Sequence, residues 1–263
     1  MTSDVHVREL FNLSGRTVLV TGASGHLGSV LASALAEAGA TVVVASRDAE
    51  RGEVARKNLP DSDRHHAVIL DQLDESSLQR GFDEALRKAG QIDILINNGH
   101  EATDADLFSV TAEQFSRQLA NATGYFLLAR LLRDHAVSRQ EGASIVMLGS
   151  MYGLVGSYPD AYADIGPASP VAYHVLKGGI VQLTRHLAVY WAHDNVRVNC
   201  LSPGPFPGPQ APPELVRRLE TKSPLGRMGT PTELKGPLLL LASDAGSYIT
   251  GQNIVVDGGW TAW

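Results

Sequence analysis

Tyr173 and Lys177 lie four residues apart at the start of a strongly helical segment, a spacing that places both side chains on one face of a helix. An ammonium group beside a phenol stabilises the phenolate and lowers the pKa of the phenol, which is about 10 when unperturbed. Tyr173 is therefore a candidate general acid/base for proton transfer. Taken alone, the pair also fits the solvated face of an ordinary helix.

A glycine-rich turn is the second feature that could do chemistry. Residues 21–28 read TGASGHLG, follow an apolar strand pattern and precede a helical pattern. Glycines allow a backbone to approach a pyrophosphate closely, and the free N–H groups of a helix N terminus attract the phosphate charge. The turn thus indicates a dinucleotide site, although glycines also occur in such turns for steric reasons alone.

The end of the second predicted strand favours one type of dinucleotide. Ser46 and Arg47 stand where an acidic residue would bind the 2′-hydroxyl of an adenosine ribose, and an arginine there can pair with a 2′-phosphate. This favours NADP(H). NAD(H) stays possible, because Arg47 could instead be a surface residue beside Asp48.

These residues must be positioned by a repeating pattern of strands and helices. Short runs rich in Val and Ile alternate with segments of helical periodicity, which is typical of crossover connections around a buried parallel sheet. We therefore predict an α/β fold, a doubly wound parallel sheet of about seven strands flanked by helices, in a single domain spanning residues 1–263. The predicted strands are 17–20, 41–44, 66–70, 92–96, 144–148, 196–201 and 253–256, and the predicted helices are 29–38, 49–58, 76–88, 112–138 and 173–193.

Two stretches rich in glycine and proline, 153–170 and 203–213, are predicted to be irregular. Both follow strands at the carboxyl edge of the sheet, where ligands bind in open α/β folds, so they are candidate substrate loops or else surface connections. Pro237 should bend a helix that begins near Pro231.

Composition excludes several classes of protein. The chain has 263 residues, 44% of them hydrophobic, and a net charge of -6, which gives no basic surface for nucleic acid or anionic membrane. The single cysteine, Cys200, cannot form an internal disulfide, and no Cys/His cluster has the spacing of a metal site. No stretch approaches the roughly 18 apolar residues of a membrane span. We expect a cytoplasmic protein that uses no metal.

The motifs together resemble those of the short-chain dehydrogenase/reductase family. The resemblance covers about residues 13–260, nearly the whole chain, and it combines the motifs in their usual order. It rests on the glycine turn, on the NNGH run at 97–100, on Asn121, Ser150, the Tyr173/Lys177 pair, Asn199 and the Pro203-Gly204 turn, and on the YITG and VDGG segments at 248–251 and 256–259.

The resemblance implies a single Rossmann-like domain and hydride transfer between a nicotinamide ring and an alcohol or carbonyl carbon. It implies that Tyr173 is the general acid/base, that Ser150 hydrogen-bonds the substrate oxygen and that Lys177 binds the nicotinamide ribose and polarises Tyr173. Asn121 would hold a water of the proton relay. The cofactor-binding residues so implied, with those argued above, are Gly22, Ser24, His26, Leu27, Gly28, Ser46, Arg47, Asp71, Asn98, Gly99, Tyr173, Lys177, Pro203, Gly204 and Phe206.

The sequence departs from the family pattern at the cofactor. His26 stands where the turn usually has a glycine, and its imidazole either donates to a phosphate or turns outward. His100 replaces the glycine of the NNAG motif and either fills space or touches the substrate. The Pro203-Gly204 turn lacks the threonine that often follows it, so Phe206 and backbone groups would hold the carboxamide.

The Ser150-to-Tyr173 interval carries an insertion at 157–170, with Tyr158, Asp160, Tyr162 and Asp164. These side chains favour a polar, hydroxyl-rich small molecule. The insertion and the C-terminal VDGGWTAW resemble reductases of bacterial nonulosonic acid and cell-surface sugar pathways, which implies a sugar-derived substrate.

Two other functions stay open, a 3-oxoacyl or small-ketone reductase and a catalytically silent nucleotide-binding regulator. The family forms dimers and tetramers, which implies a homodimer or homotetramer. Trp260 and Trp263 near the chain end would be covered by subunit contact or by their own domain.

Overall fold

The computed structural model describes residues 5–102, 106–166 and 169–263. All seven strands form one parallel sheet in the order β3-β2-β1-β4-β5-β6-β7. The strands are β1 (Thr17–Thr21), β2 (Thr41–Ser46), β3 (His66–Ile69), β4 (Ile94–Asn97), β5 (Ala143–Leu148), β6 (Val196–Pro203) and β7 (Asn253–Val256). The predicted doubly wound α/β sheet is confirmed, and each predicted strand overlaps an observed one.

Helices cover both faces of this sheet. Buried β1 shows why, because its alternate side chains enter two different cores: Val18 and Val20 pack on one face and Leu19 on the other. The helices are α1 (Val7–Leu10), α2 (His26–Glu37), α3 (Ala49–Lys57), α4 (Glu75–Ala89), α5 (Ala112–Ser138), α6 (Pro159–Tyr162), α7 (Val171–Trp191), α8 (Pro213–Glu220) and α9 (Lys235–Ala242).

Side-chain caps fix where three of these helices begin. Asp48 accepts the N–H of Arg51 at the start of α3, and Asp74 accepts two N–H groups at the start of α4. Thr111 and Gln114 form a reciprocal capping box at the start of α5. These caps set the helices that follow β2 and β3 and the long helix that precedes β5.

Short helices occur in both stretches predicted to be irregular, inside the first and at the end of the second. The one-turn helix α6 lies inside 153–170, so the prediction of a wholly irregular segment is wrong there, and residues 167–168 of that stretch lie outside the described residues. Helix α8 begins at Pro213, the last residue of the second stretch, and no helix was predicted for it. Proline is well tolerated at the first position of a helix, which explains why α6 can begin at Pro159 and α8 at Pro213.

The prediction of one bent helix from Pro231 is also wrong. A 3-10 turn, Pro231–Leu234, precedes α9, so Pro237 falls in the first turn of a new helix. Amide groups in a first turn have no intrahelical acceptor, and the missing N–H of proline is therefore harmless there.

A third apolar cluster lies at the carboxyl edge of the sheet. It includes Met151, Tyr152, Leu219 and Trp260, and the Trp260 ring contacts Tyr158 edge-on at 5.4 Å between centroids. Trp260 is 1% exposed, whereas Trp263 is 72% exposed. Trp260 is therefore covered by its own domain. No helix within the described residues is long and apolar enough to cross a membrane.

The N terminus of α2 packs directly beneath the glycine turn. A Cβ placed on Gly28 would lie 2.1 Å from the carbonyl oxygen of Gly22 and 2.7 Å from Nδ2 of Asn98. A Cβ on Gly25, three residues earlier, would come no closer than 3.3 Å to the Gly22 oxygen. The close contact between helix and turn thus requires glycine at position 28.

We expect Gly28→Ala to lower the free energy of unfolding by about 1–3 kcal/mol, because the added methyl group overpacks a site bounded by backbone. Gly25→Ala, whose contact a small shift relieves, should lower it by less than about 1 kcal/mol. Urea unfolding of the two variants measures both values. Equal stability of the two would show that the turn adapts to a side chain at position 28.

Candidate active site

The strand order places a cleft at the carboxyl edge, beside β1. The chain turns to β2 and β3 on one side of β1 and to β4, β5 and β6 on the other, which is the switch point where this type of sheet binds ligands. The cleft has a volume of about 510 Å³. Of the predicted cofactor-binding residues, it is lined by Gly22, Ser24, His26, Leu27, Gly28, Ser46, Arg47, Asp71, Asn98 and Gly99, and the predicted catalytic Asn121 also lines it.

The turn after β1 is tied to the loop after β4 by four hydrogen bonds. The hydroxyl of Thr21 accepts the N–H groups of Asn98 and Gly99 at 3.0 and 2.9 Å. The Asn98 side-chain amide donates to the carbonyls of Thr21 and Gly22 at 3.0 and 3.1 Å. Gly22 has φ +64°, and a Cβ there would lie 2.7 Å from the Cα of Gly99. Glycine is required at position 22 by both its conformation and this close approach.

The N terminus of α2 opens toward the same cleft. Its N-cap residue, Gly25, carries no capping side chain, so the first N–H groups of this 12-residue helix are available to an anion in the cleft. His26 is exposed, lines the cleft and lies beside Gly208 of the loop after β6. This position is compatible with either role considered for its imidazole.

The adenosine side of the cleft contains a contact that the sequence did not indicate. Arg47 forms an ion pair with Glu101, and Glu101 forms a second one with Arg117 of α5. Because of these two arginines, with Arg117 the stronger influence, the pKa of Glu101 is lowered. Asp71 accepts the N–H of Leu73 at 2.9 Å, so this carboxylate stabilises its own turn while lining the cleft.

Asn121 acts on this loop through its side chain. Its oxygen accepts the N–H of Glu101 at 2.8 Å, and its nitrogen donates to the carbonyls of Glu101 and Gln118 at 3.1 and 2.8 Å. The Asn121 amide therefore positions the backbone of Glu101. The role of Asn121 in holding a relay water stays a prediction.

The other three predicted catalytic residues meet at the ends of β5 and α7. The Ser150 and Tyr173 side chains are hydrogen-bonded, and Ser150 also accepts the N–H of Tyr152 at 3.1 Å. Lys177 is 2% exposed, donates to the carbonyl of Leu148 at 2.7 Å and lies 5.6 Å from the centroid of the Tyr173 ring. The structure thus brings the three side chains together.

Burial, rather than the lysine, dominates the pKa of Tyr173. It raises the pKa of the phenol above its usual value, and the hydrogen bond from Ser150 offsets part of this effect. The sequence-based expectation of a lowered pKa is therefore wrong for the protein alone. Burial lowers the pKa of Lys177 to about 8, because the charged ammonium is desolvated.

The turn after β6 supports only part of the prediction for the nicotinamide side. Gly204 and Phe206 line a pocket next to Tyr173, but Pro203 does not, because it is buried as the last residue of β6 and pairs with Val256. A Cβ on Gly204 would lie 2.5 Å from the Cα of Asp257, which explains glycine at that position. Pro203 thus ends β6 directly before Gly204, and its contact with the cofactor stays a prediction.

This second pocket, of about 460 Å³, is the candidate substrate site. Its polar groups include Ser150 and Tyr173 and a pair of tyrosines, Tyr152 and Tyr162, whose hydroxyls are 2.8 Å apart. Its far wall is apolar and comes from the helix that the sequence-based prediction omitted, through Leu215, Val216 and Leu219 of α8. The spacing of these three residues after two prolines was the available signal.

The insertion contributes fewer polar side chains to this pocket than expected. Asp160 points to Lys222, with which it forms an ion pair, and Asp164 is not among the residues that line the pocket. Tyr158 packs on Trp260, so only Tyr162 of the four side chains reaches the pocket. Of the four side chains from which a polar ligand was inferred, Asp160 and Asp164 therefore do not support that inference.

His100 lies between the two cavities. Its ring centroid is 5.7 Å from that of Tyr173, and it lines the cofactor cleft while keeping contact with solvent. The protein around the ring, and the charge of Lys177 to a smaller extent, lower the pKa of His100. The imidazole is consequently neutral at pH 7.

The chain matches the family model described as Enoyl-(Acyl carrier protein) reductase over residues 22–261. With the fold and site above, the chain belongs to the short-chain dehydrogenase/reductase family. It is an oxidoreductase that acts on CH–OH or carbonyl groups with a nicotinamide cofactor.

Its curated relatives include two that act on sugar alcohols. The chain is 31% identical to the NADP-dependent mannitol dehydrogenase of Alternaria alternata, over 97% of this chain and 95% of that protein. It is 32% identical to the galactitol 2-dehydrogenase (L-tagatose-forming) of Cereibacter sphaeroides, over 97% and 99%. A third relative, the 3-oxoacyl-acyl-carrier-protein reductase of Aquifex aeolicus, is 30% identical over 94% and 98%.

Solved structures agree over the whole fold. A gluconate 5-dehydrogenase from Burkholderia cenocepacia J2315, in complex with NADP and tartrate, gives a TM-score of 0.88 at 27% identity and covers 98% of this chain and 100% of its own. A short-chain dehydrogenase from Leptospira borgpetersenii with bound NAD+ gives a TM-score of 0.84 at 29% identity, covering 95% and 94%. Both nicotinamide cofactors thus occur among its structural neighbours.

Thr21→Val tests the bond between the two loops. Valine keeps the shape of threonine but leaves two N–H groups without an acceptor, so we expect the free energy of unfolding to fall by about 1–3 kcal/mol. Affinity for NADPH should fall as well, because the glycine turn loses its support. Thr21→Ser retains the acceptor and is the control. If valine and serine have the same effect in urea unfolding and NADPH titration, the hydroxyl is not the support.

Proposed function

We propose that the protein is an NADP(H)-dependent oxidoreductase that interconverts a secondary alcohol and a ketone on a small polyhydroxylated, sugar-derived substrate, with Tyr173 as the general acid/base. The observation that carries this proposal is the meeting of Ser150, Tyr173 and Lys177 between the cofactor cleft and the substrate pocket. Each of the three groups has a distinct task at that point.

The cofactor cleft fits a nicotinamide dinucleotide. It combines an uncapped helix N terminus for the pyrophosphate with Asp71, Ser46 and Arg47 at the adenosine side, and its volume of about 510 Å³ suits a molecule of that size. Ser46 and Arg47 carry the preference for the 2′-phosphate. When bound, the reduced nicotinamide supplies the hydride that the carbonyl carbon receives.

The protein supplies the proton and holds the substrate oxygen. In the direction of reduction, Ser150 donates a hydrogen bond to the carbonyl oxygen, and Tyr173 transfers its phenolic proton to that oxygen as the negative charge develops. The raised pKa of Tyr173 keeps this proton in place at pH 7. Lys177, as an ammonium beneath the ring, stabilises the phenolate that remains.

The substrate class is supported by the pocket and by the relatives. The hydroxyls of Tyr152 and Tyr162 face the same pocket as Ser150 and Tyr173, which offers several hydrogen-bonding groups to a molecule with neighbouring hydroxyls. The mannitol and galactitol dehydrogenases act on such molecules by name. Because no relative named above acts on nonulosonic acids, we propose the broader class of polyols and ketoses.

A 3-oxoacyl reductase is the second candidate. The apolar wall formed by Leu215, Val216 and Leu219 could hold an acyl chain, and one relative is a 3-oxoacyl reductase. A silent nucleotide-binding regulator is less well supported, since such a protein has no need of the Ser150, Tyr173 and Lys177 arrangement.

We also propose that the protein is cytoplasmic and assembles as a homodimer or homotetramer. A single buried cysteine, Cys200, suits a reducing compartment. Val189 and Tyr190 of α7 and the terminal Trp263 are largely exposed in the single chain, and contact with a second copy would cover such side chains.

Tyr173→Phe should lower kcat by at least ~100-fold, because the proton donor is removed. Its Kd for NADPH should stay that of the wild type, since the ring still packs in place. Tyr190→Phe, on the exposed face of the same helix, is the matched control and should keep full activity.

Rates are measured on mannitol, galactitol, their ketoses and a 3-oxoacyl thioester. Turnover of the polyol and ketose pairs, lost in Tyr173→Phe, supports the proposal. Turnover of the thioester alone would contradict the proposed polyol and ketose substrates and favour a 3-oxoacyl reductase. Full activity of Tyr173→Phe would show that Tyr173 is not the general acid. NADPH binding with no turnover of any compound would favour the regulator.

The pH dependence of reduction should follow Lys177. Below pH 7 the ammonium is charged and the phenol protonated, so kcat at saturating NADPH should be constant. As the pH rises through about 8, Lys177 loses its proton, and kcat should fall because the phenolate loses its cation. In Lys177→Arg, which stays charged, the fall should move to higher pH. A wild-type kcat that is constant up to pH 9.5 would show that the charge is not needed.

A further inference from the structure

Glu101 places a fixed negative charge against the arginine that the proposed function assigns to the 2′-phosphate. Arg47 follows β2 and Glu101 lies in the loop after β4, and these two strands flank β1. The ion pair between them therefore spans the cleft above β1, where the glycine turn begins. Both residues line the cavity that the adenosine half of a dinucleotide would enter.

Glu101 is held from the side of α5 as well as by Arg47. Asn121 binds both its N–H and its carbonyl, at 2.8 and 3.1 Å, so the backbone is clamped. Arg117, one helical turn before Asn121, binds the carboxylate. The Glu101 side chain is 22% exposed in this arrangement. Contacts from α5 therefore hold Glu101 in addition to its ion pair with Arg47.

Arg47 is the more exposed partner. Its side chain is 56% exposed, and within the described parts of the chain its guanidinium makes its hydrogen bond and ion pair with Glu101 alone. A guanidinium with this freedom can turn to another anion. When it does, the Glu101 carboxylate keeps Arg117 as a partner and is not left unpaired.

These contacts affect the two nicotinamide cofactors differently. NADP(H) adds a phosphate at the ribose 2′-position, which must take Arg47 from Glu101 and must also approach the Glu101 charge. NAD(H) has a hydroxyl there, which requires neither change and can donate to a carboxylate. The balance between the cofactors is thus sensitive to this one acid.

We propose that Glu101 is a specificity-determining residue that limits the preference for NADP(H) over NAD(H), by competing with the 2′-phosphate for Arg47. The proposal rests on the proposed function, since it requires that the cleft binds these cofactors. Arg117 acts through Glu101 as a positioning residue, because it binds the carboxylate oxygen that Arg47 does not bind and so shares the Glu101 charge with Arg47.

The test is the equilibrium Kd of the purified protein for NADPH and for NADH, measured by cofactor fluorescence. Glu101→Gln should lower the Kd for NADPH by about 5- to 20-fold, because it releases Arg47 and removes a negative charge near the phosphate. The gain stays within this range because an exposed ion pair is weak. The Kd for NADH should stay the same or rise. Glu141→Gln, an exposed acid before β5 that does not line the cofactor cleft, makes the same change in net charge and should alter neither value.

A double-variant cycle distinguishes an effect of Arg117 through Glu101 from a general effect of the Arg117 charge on NADPH binding. Arg117→Gln should weaken NADPH binding in the wild type, because Glu101 then turns fully to Arg47, and should have no effect when Glu101 is already glutamine. Weakening by the same factor in both backgrounds would show that Arg117 does not act through Glu101 and would overturn the positioning role of Arg117.

Thermal unfolding of each variant confirms that it is folded. Glu101→Asp, which is too short to keep both arginines, replaces Glu101→Gln if that variant does not fold.

The outcomes distinguish a failure of this inference from a failure of the proposed function. If the wild type binds NADPH and NADH but the ratio of their Kd values is the same in Glu101→Gln, the inference is wrong and the proposed function stands. If the wild type binds neither cofactor, the proposed function fails and the inference with it.

Discussion

The hydrogen bonds between Thr21 and Asn98 join the two loops on which the site depends. They connect the end of β1 to the end of β4, and a Cβ on either Gly22 or Gly28 would collide with atoms at this junction. On one side the glycine turn and the N terminus of α2 are held in place. On the other side, the backbone of 99–101 runs to Asn121, which connects it to α5. Both loops line the cofactor cleft, together with the ends of β2 and β3.

The catalytic end is controlled by desolvation. The Lys177 ammonium is buried with one carbonyl acceptor, from Leu148, and lies near the faces of the Tyr125 and Tyr173 rings. Burial of a charge with few partners disfavours the charged form, which explains why the pKa of Lys177 falls toward 8. The same burial raises the pKa of Tyr173. The two shifts move the two pKa values apart, because that of Lys177 falls and that of Tyr173 rises from ordinary values that are nearly equal, and both side chains keep their protons at pH 7.

Charges at the surface of the site have a different character. Arg47, Glu101 and Arg117 form a chain of ion pairs across the cofactor cleft, partly exposed to solvent. Pairs of this kind contribute little to stability but are easily exchanged for a ligand. The buried hydroxyls and amides fix the shape of the cleft, and the exposed charges select what enters it.

The sequence by itself determined the sheet, five of its helices and the Tyr173/Lys177 pair, because periodic apolar runs and a helical spacing of four are local properties. Ser150 was placed beside that pair only by the resemblance to the family. The sequence did not determine the Arg47–Glu101 pair, the clamp of Asn121 on the backbone of Glu101 or the apolar wall from α8, since each joins residues that are distant in the chain. It also gave the wrong direction for the pKa of Tyr173 and a wrong role for Asp160. Both depend on how much solvent and which partner a side chain meets, and only the packing of the whole domain decides that.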